Sequence, residues 1–216
     1  MATFLLIHGG WHGAWCWDAL APVLRRAGHR VLAPDLPGHG VDAAPPSPDL
    51  PARYAPFVAE LLRTQAEPVI LVGHSSGGMI ASAATAFAPE RVAAVVYLAA
   101  FLLPPGAAPP EAIHEDDGSL LRDALIVDPA AGVTIVRPEA APAVFYADCP
   151  PALAAWATAR LQPEPIVHRA APAPARAEAP PPATAPAIPR YFIETLEDRA
   201  LPLPAQRRMT AAMPCR

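Results

Sequence analysis

The stretch from Pro68 to about Ala88 leaves this chain few ways to fold. Val69-Ile70-Leu71-Val72 is a continuous apolar run of strand length, closed by Gly73-His74-Ser75-Ser76-Gly77-Gly78, and a helical run of small residues follows from Met79. Strand, tight turn and helix around a G-x-S-x-G pattern form a nucleophile elbow, whereas the same five residues alone would be an ordinary Gly-Ser turn. The strained turn lifts Ser75 clear of the sheet, where a base can take its proton. Gly73 and Gly77 keep methyl groups out of the place where the two backbones close on each other. Ser76 opens the helix, so its N–H has no partner within the helix and faces a position that favours negative charge.

The rest of the chain is ordered around this element. Thr3 to His8 is an apolar strand that ends in the glycine loop Gly9-Gly10-Trp11-His12-Gly13. Cys16 to Ala27 has helical spacing, with arginines in its last turn and Gly28 as a stop. Arg30 to Pro34 reads as a second strand, Ala43 to Pro51 as a proline-rich loop, and Tyr54 to about Gln65 as a helix. Arg91 to Phe101 is a further β-branched strand, Arg190 to Thr195 a short fifth one, and Pro204 to Met213 a closing helix. Alternating strands and helices of these lengths predict right-handed β-α-β units and a parallel sheet covered on both faces. Ligands of such sheets bind beyond the carboxyl ends of the strands, which is where the Gly9-Gly10 loop and Ser75 both lie.

Between Pro104 and Pro189 the rhythm breaks. An acidic cluster, Glu115-Asp116-Asp117, and a helix predicted around Pro151 to Leu161 sit among prolines, and Ala170 to Pro189 is nearly pure Ala/Pro. An inserted cap with a polyproline-like exit has this appearance. A disordered insertion is the other reading of Ala170 to Pro189.

Composition excludes several partners. A net charge of -4 argues against nucleic acid or an anionic membrane. All 16 basic residues are arginine, and there is neither lysine nor asparagine. With 31 prolines and abundant alanine, this reads as the mark of a GC-rich genome. No run approaches the length of a membrane span, and Met-Ala-Thr before the first strand lacks the basic and apolar parts of a signal peptide. Cys16, Cys149 and Cys215 are odd in number and form no C-x-x-C, so a reduced, cytoplasmic location is expected, with all three as packing residues.

At His8-Gly9-Gly10-Trp11-His12-Gly13-Ala14-Trp15, Asp35-Leu36-Pro37-Gly38-His39-Gly40, Gly73 to Gly78 and Glu197-Asp198-Arg199-Ala200-Leu201-Pro202, the chain resembles the α/β-hydrolase superfamily. The likeness is greatest to the methylesterase and hydroxynitrile lyase branch in bacterial form. The resemblance implies an α/β-hydrolase core over residues 1–103 and 190–216 and a cap over 104–189, of which 170–189 is the Ala/Pro-rich connection. It implies Ser75 as the nucleophile of an acyl-enzyme, Asp198 as the acid that orients a histidine, and the amides of Gly10 and Ser76 as the oxyanion hole. Gly9, Trp11 and His74 would belong to the substrate pocket, with the His74 ring turned from the reacting face. Small, largely apolar esters are the implied substrates, and neither a metal nor an organic cofactor is implied. Asp198 follows a strand and comes after Ser75, as a triad acid of this architecture does, and no acidic residue follows Leu102-Leu103-Pro104 to compete with it. Its bland alternative is a turn aspartate. His12, Trp15 and Trp17 read as core or pocket wall, His8 as a loop support and His39 as a turn residue.

One part of the family pattern is missing. From Asp198 onward there is no histidine, and Arg199 to Arg216 is too short for a helix, a sixth strand and the loop that would carry one. The reading is therefore a hydrolase core cut short of its last strand and helix, nearly inactive as it stands and prone to self-association through uncovered apolar surface. His114 and His168 in the cap are the remaining candidates for a base, though a proline-rich cap is a poor rigid support. Two other functions stay open. A non-catalytic relative would keep the pocket and bind small esters or acids, unchanged by Ser75→Ala. A hydroxynitrile lyase would cleave cyanohydrins, but the lyases that resemble this chain carry a threonine where Gly9 stands and a lysine after the catalytic histidine.

Overall fold

The structure, a computed structural model, describes residues 1–40, 47, 50–104, 117–166 and 187–216. Five strands, β1 (Thr3–Ile7), β2 (Arg30–Leu32), β3 (Val69–His74), β4 (Val92–Leu98) and β8 (Arg190–Ile193), form one sheet in the order β2-β1-β3-β4-β8. Every pairing in it is parallel. Side chains alternate faces along a strand, so Leu5 and Ile7 enter one core while Leu6 enters the other. The larger core takes Val69, Leu71, Val95 and Tyr97 from the sheet and packs them under α2 (Leu50–Arg63), α3 (Gly77–Phe87) and α7 (Leu203–Ala212). On the opposite face α1 (Leu20–Arg26) and Trp17 cover Leu6, Val31 and Val72. Among the described residues no helix is long and apolar enough to cross a membrane.

Sheet order reverses between β1 and β3, since the chain runs outward from β1 to β2 on one side and from β3 to β4 and β8 on the other. Loops leaving the carboxyl ends of β1 and β3 therefore diverge and leave a crevice between them. Register sets what stands there: Ile7 pairs with Gly73, so Gly9 leaves the sheet level with Ser75. Gly77 fixes the distance from the helix side, because a Cβ on it would lie 2.7 Å from the carbonyl oxygens of both Ile7 and His8.

Element boundaries differ from the sequence reading where proline or backbone strain intervenes. The helix expected over Cys16 to Ala27 is a 3₁₀ turn (Ala14–Trp17) followed by α1, because the ring of Pro22 excludes the carbonyl of Asp18 from helical pairing. α2 begins at Leu50 rather than Tyr54, since Pro51 sits in the first turn, where its missing N–H costs nothing. β4 stops at Leu98 because Ala99 takes a left-handed φ of 41°.

The cap holds strands that the sequence reading left out. β5 (Leu125–Asp128) and β6 (Val133–Val136) form an antiparallel hairpin, and β7 (Glu164–Pro165) pairs with β6. Among the described residues three helices accompany them: α4 (Leu121–Ala124), α5 (Ala141–Phe145) and α6 (Pro151–Thr158), the last ending short of the expected Leu161. Of the acidic cluster only Asp117 lies among the described residues, ion-paired with Arg208 of α7. His114, His168 and most of the Ala/Pro-rich connection lie outside them. β8 is the edge strand of the described sheet; Arg216 exchanges backbone hydrogen bonds with its Arg190 and Phe192, while Ile193 and Leu196 are exposed.

Candidate active site

Ser75 holds a φ of 53°, in the left-handed region that a residue with a Cβ seldom adopts. The surroundings enforce it. Its carbonyl accepts the amides of Gly78 and Phe101, both at 3.0 Å, and its own amide reaches the carbonyl of Leu98. Gly73 has no room for a side chain either, since a Cβ there would lie 2.5 Å from the carbonyl oxygen of Gly77. Strain of this kind persists only where neighbours over-determine the backbone, and it turns the Ser75 side chain out of the sheet.

That side chain faces a cavity of about 1330 Å³ between core and cap. Gly9, Gly10, Trp11, His74, Ser75 and Asp198 all line it, so the residues singled out from three separate stretches share one space. Ser76 precedes α3 as its N-cap, which leaves its amide outside the helical pairing. Trp11, Trp15, Trp17, Phe145, Tyr146 and Trp156 contribute aromatic rings to the cavity wall. Trp15 and Trp156 meet edge to face at 5.4 Å, and Phe145 packs 6.1 Å from Trp11. Burial pushes the Cys16 thiol, also on the wall, up to about 12, so it stays a neutral packing group.

Asp198 stands beyond the end of β8. One carboxylate oxygen accepts the amides of Ala200 (2.9 Å) and Leu201 (2.8 Å), and the other accepts the Thr195 hydroxyl (2.9 Å). These bonds close the turn, and the half-buried Asp198 lines the cavity.

The histidines are mostly committed elsewhere. His8 is fully buried; its Nδ1 bonds the Gly9 carbonyl and its Nε2 accepts the Leu36 amide, and burial drives it down to about 3. His12 donates from Nδ1 to the Gly10 carbonyl at 2.9 Å and accepts the Tyr146 hydroxyl at Nε2 at 2.8 Å, and burial lowers it to about 4. His29 accepts the Ala2 amide. His74, edge-on to Trp17 at 6.3 Å, is lowered to about 4 by burial. Among the described residues no histidine is hydrogen-bonded to Ser75.

His39 is more than a turn residue. Its Nε2 lies 2.8 Å from the Glu164 carboxylate of β7. Burial alone would lower His39, but the hydrogen bond and charge of Glu164 outweigh it and raise the imidazole above its ordinary value. The same Glu164 oxygen accepts the Trp11 amide at 3.0 Å. Neither Glu164 nor Tyr146 was singled out from the sequence. The only signal was a carboxylate in the otherwise uncharged run Leu161-Gln162-Pro163-Glu164-Pro165. No group of three or more potential metal ligands is assembled among the described residues.

Comparison with known proteins agrees with this architecture. A methylesterase from Arabidopsis thaliana, Methylesterase 1, is 41% identical over 103 residues, which is 46% of this chain and 39% of that protein. The carbendazim hydrolyzing esterase of Nocardioides sp. (strain SG-4G) is 38% identical over 122 residues, 51% of this chain and 50% of that protein. The chain thus spans half or less of the curated relatives it matches. Among solved structures, a pyrethroid hydrolase from Sphingobium faniae JZ-2 superposes with a TM-score of 0.77 at 30% identity, covering 100% of this chain and 86% of that one. The Alpha/beta hydrolase family matches residues 4–216. With an elbow serine, a facing glycine loop and a capped parallel sheet all in place, this chain belongs to the alpha/beta hydrolase family.

Proposed function

We propose that this chain carries the acyl-transfer site of a serine carboxyl-ester hydrolase for small, largely apolar esters. The observation that carries the reading is the strained backbone of Ser75, which lines the cavity between core and cap together with the Gly9-Gly10 loop. Ser75 Oγ attacks the ester carbonyl, and the amides of Gly10 and Ser76 take the developing oxyanion. The alcohol leaves, and water then releases the acid from the acyl-enzyme. Asp198 is the acid that would orient a histidine base.

No such base is hydrogen-bonded to Ser75 among the described residues, so turnover by this chain should be slow. Loss of one triad member costs on the order of a millionfold, and oxyanion binding alone leaves about a thousand to ten thousandfold over water. A fluorophosphonate probe reads the nucleophile directly. Labelling at Ser75 that disappears in Ser75→Ala supports the proposal; labelling elsewhere, or none at any probe concentration, overturns it.

That no histidine is hydrogen-bonded to Ser75 among the described residues also favours a second reading, a hydrolase fold that binds small esters or acids without turning them over. Tight binding that survives Ser75→Ala, together with no labelling, would select it. Cyanohydrin cleavage has less support, because Gly9 offers no hydroxyl and the chain contains no lysine.

A further inference from the structure

Trp11 is held by the cap at every polar atom. Its amide donates to Glu164, its carbonyl accepts the Gln162 amide at 2.9 Å, and its indole N–H reaches the Thr134 carbonyl and hydroxyl at 3.2 Å. All three partners come from β6, β7 or the residues just before β7, whereas Trp11 belongs to the loop after β1. Trp11 has a φ of 63°, so the loop needs these bonds to stay in a conformation it would otherwise leave.

The peptide unit between Gly10 and Trp11 is gripped at both ends. Its N–H points to Glu164, and its C=O accepts from His12 Nδ1, whose far nitrogen is held by Tyr146 of the cap. That plane meets, at the Gly10 Cα, the preceding peptide, which carries the Gly10 N–H and whose carbonyl is held by His8 Nδ1 at 2.9 Å and by the His12 amide at 3.4 Å, so the core and the cap together set the conformation of Gly10. With no Cβ to restrict it, Gly10 would gain rotational freedom if the cap released its side of this arrangement. The Glu164 carboxylate lies about 3.6 Å from where a Gly10 Cβ would be, on one side of the loop. It is nearly buried, and His39 supplies the compensating partner that lets a charge sit there.

We infer that Glu164 is the positioning residue of the oxyanion hole: docked on His39, it holds the Gly10–Trp11 peptide so that the Gly10 amide faces Ser75. The inference rests on the acyl-transfer reading above for its consequence, and on geometry alone for the clamp itself. It also makes cap docking a condition for a competent hole, because the group that orients the core loop belongs to the cap.

Two measurements on the full chain separate these parts. The first is amide hydrogen exchange over residues 9–13. Glu164→Ala removes a charged acceptor from the Trp11 amide and should speed its exchange about tenfold or more, with slower exchange restored in Glu164→Gln, which keeps an acceptor oxygen. The second is fluorophosphonate labelling, resolved into its maximal rate (kinact) and its half-saturating concentration (KI). Misplacing one oxyanion donor should cut kinact by about 10- to 100-fold in Glu164→Ala while KI stays within about twofold, and Glu164→Gln should recover most of the loss. Should the alanine variant fail to fold, Glu164→Asp, one methylene shorter, takes its place in both comparisons. Unchanged exchange at residues 9–13 overturns the clamp. Faster exchange with unchanged kinact, or a loss seen in KI alone, overturns the assignment to the oxyanion hole. If the unaltered chain is not labelled at Ser75, the acyl-transfer reading fails, and the clamp is decided by exchange alone.

Discussion

A Cβ placed on Gly9 would stand 2.8 Å from the Cβ of Ser75. Two loops far apart in sequence thus meet at a distance only hydrogen can fill, and the contact is between a backbone and the rigid base of a side chain. Gly9→Ala must therefore move either the glycine loop or the elbow. Overpacking of this sort costs about 1–3 kcal/mol. We expect a folded variant with a lowered urea midpoint and at least a tenfold slower fluorophosphonate reaction at Ser75, since a small misplacement of reacting groups is enough for that. Unchanged labelling would mean that the loops separate without effect on the hydroxyl.

The left-handed backbone of Ser75 predicts a trade between stability and reactivity. Ser75→Gly relieves strain of about 1 kcal/mol and should raise the unfolding midpoint while abolishing labelling. Ser75→Ala abolishes labelling without that gain, because alanine keeps the Cβ. Equal midpoints for the two variants would show that the turn is not strained in solution.

Asp198 holds its turn as well as facing the cavity. Replacing it by alanine leaves the amides of Ala200 and Leu201 and the Thr195 hydroxyl without their acceptor. The expected loss is about 2 kcal/mol or more in chemical denaturation. A variant as stable as the parent chain would show that water replaces the carboxylate at no cost.

Three neutral histidines, His8 and His12 buried and His74 half-buried, predict sensitivity to acid. Burial lowers His8 to about 3 and His12 and His74 to about 4, against 6.5 for an ordinary histidine. Below pH 6.5 the unfolded chain takes up protons that the native chain refuses. Stability should thus fall as the pH drops from 6.5 towards 4, by about 1.4 kcal/mol per pH unit for each proton fully linked. His39 acts in the other direction. Burial opposes its charge, but Glu164 outweighs burial and raises it, so its contribution is complete below 6.5 and is lost as the pH rises through its folded value. Urea midpoints should be lower at pH 5 than at pH 7 and should decline modestly again in the alkaline range. A midpoint that is flat from pH 5 to 7 would contradict the burial of these rings.

The elbow was legible because one short stretch contains its whole cause. An apolar run, two obligatory glycines and a helix of small residues specify β3, the turn and α3 with little help from elsewhere. The glycine loop after β1 was readable for the same reason, and parallel β-α-β logic then brought its end to the same edge of the sheet as Ser75. Ile7 pairing with Gly73 converts that general placement into facing neighbours. The cap resisted reading. Proline and alanine obscured the β5–β6 hairpin, although Leu125-Ile126-Val127 and Val133-Thr134-Ile135-Val136 carry β-branched and apolar runs.

By itself the sequence determined the strands of the parallel sheet, the strained turn at Ser75 and the glycine loop, because each follows from backbone preferences and apolar spacing within a few residues. Only the tertiary structure decided that Glu164 meets His39 and Trp11, and that Tyr146 meets His12. Those pairs join residues more than a hundred positions apart, through side-chain contacts for which no local pattern exists. A carboxylate between two prolines looks like any surface loop until the cap folds it against an imidazole and an amide. Burial and partnership, the properties that give such a residue its role, arise only when the chain closes on itself.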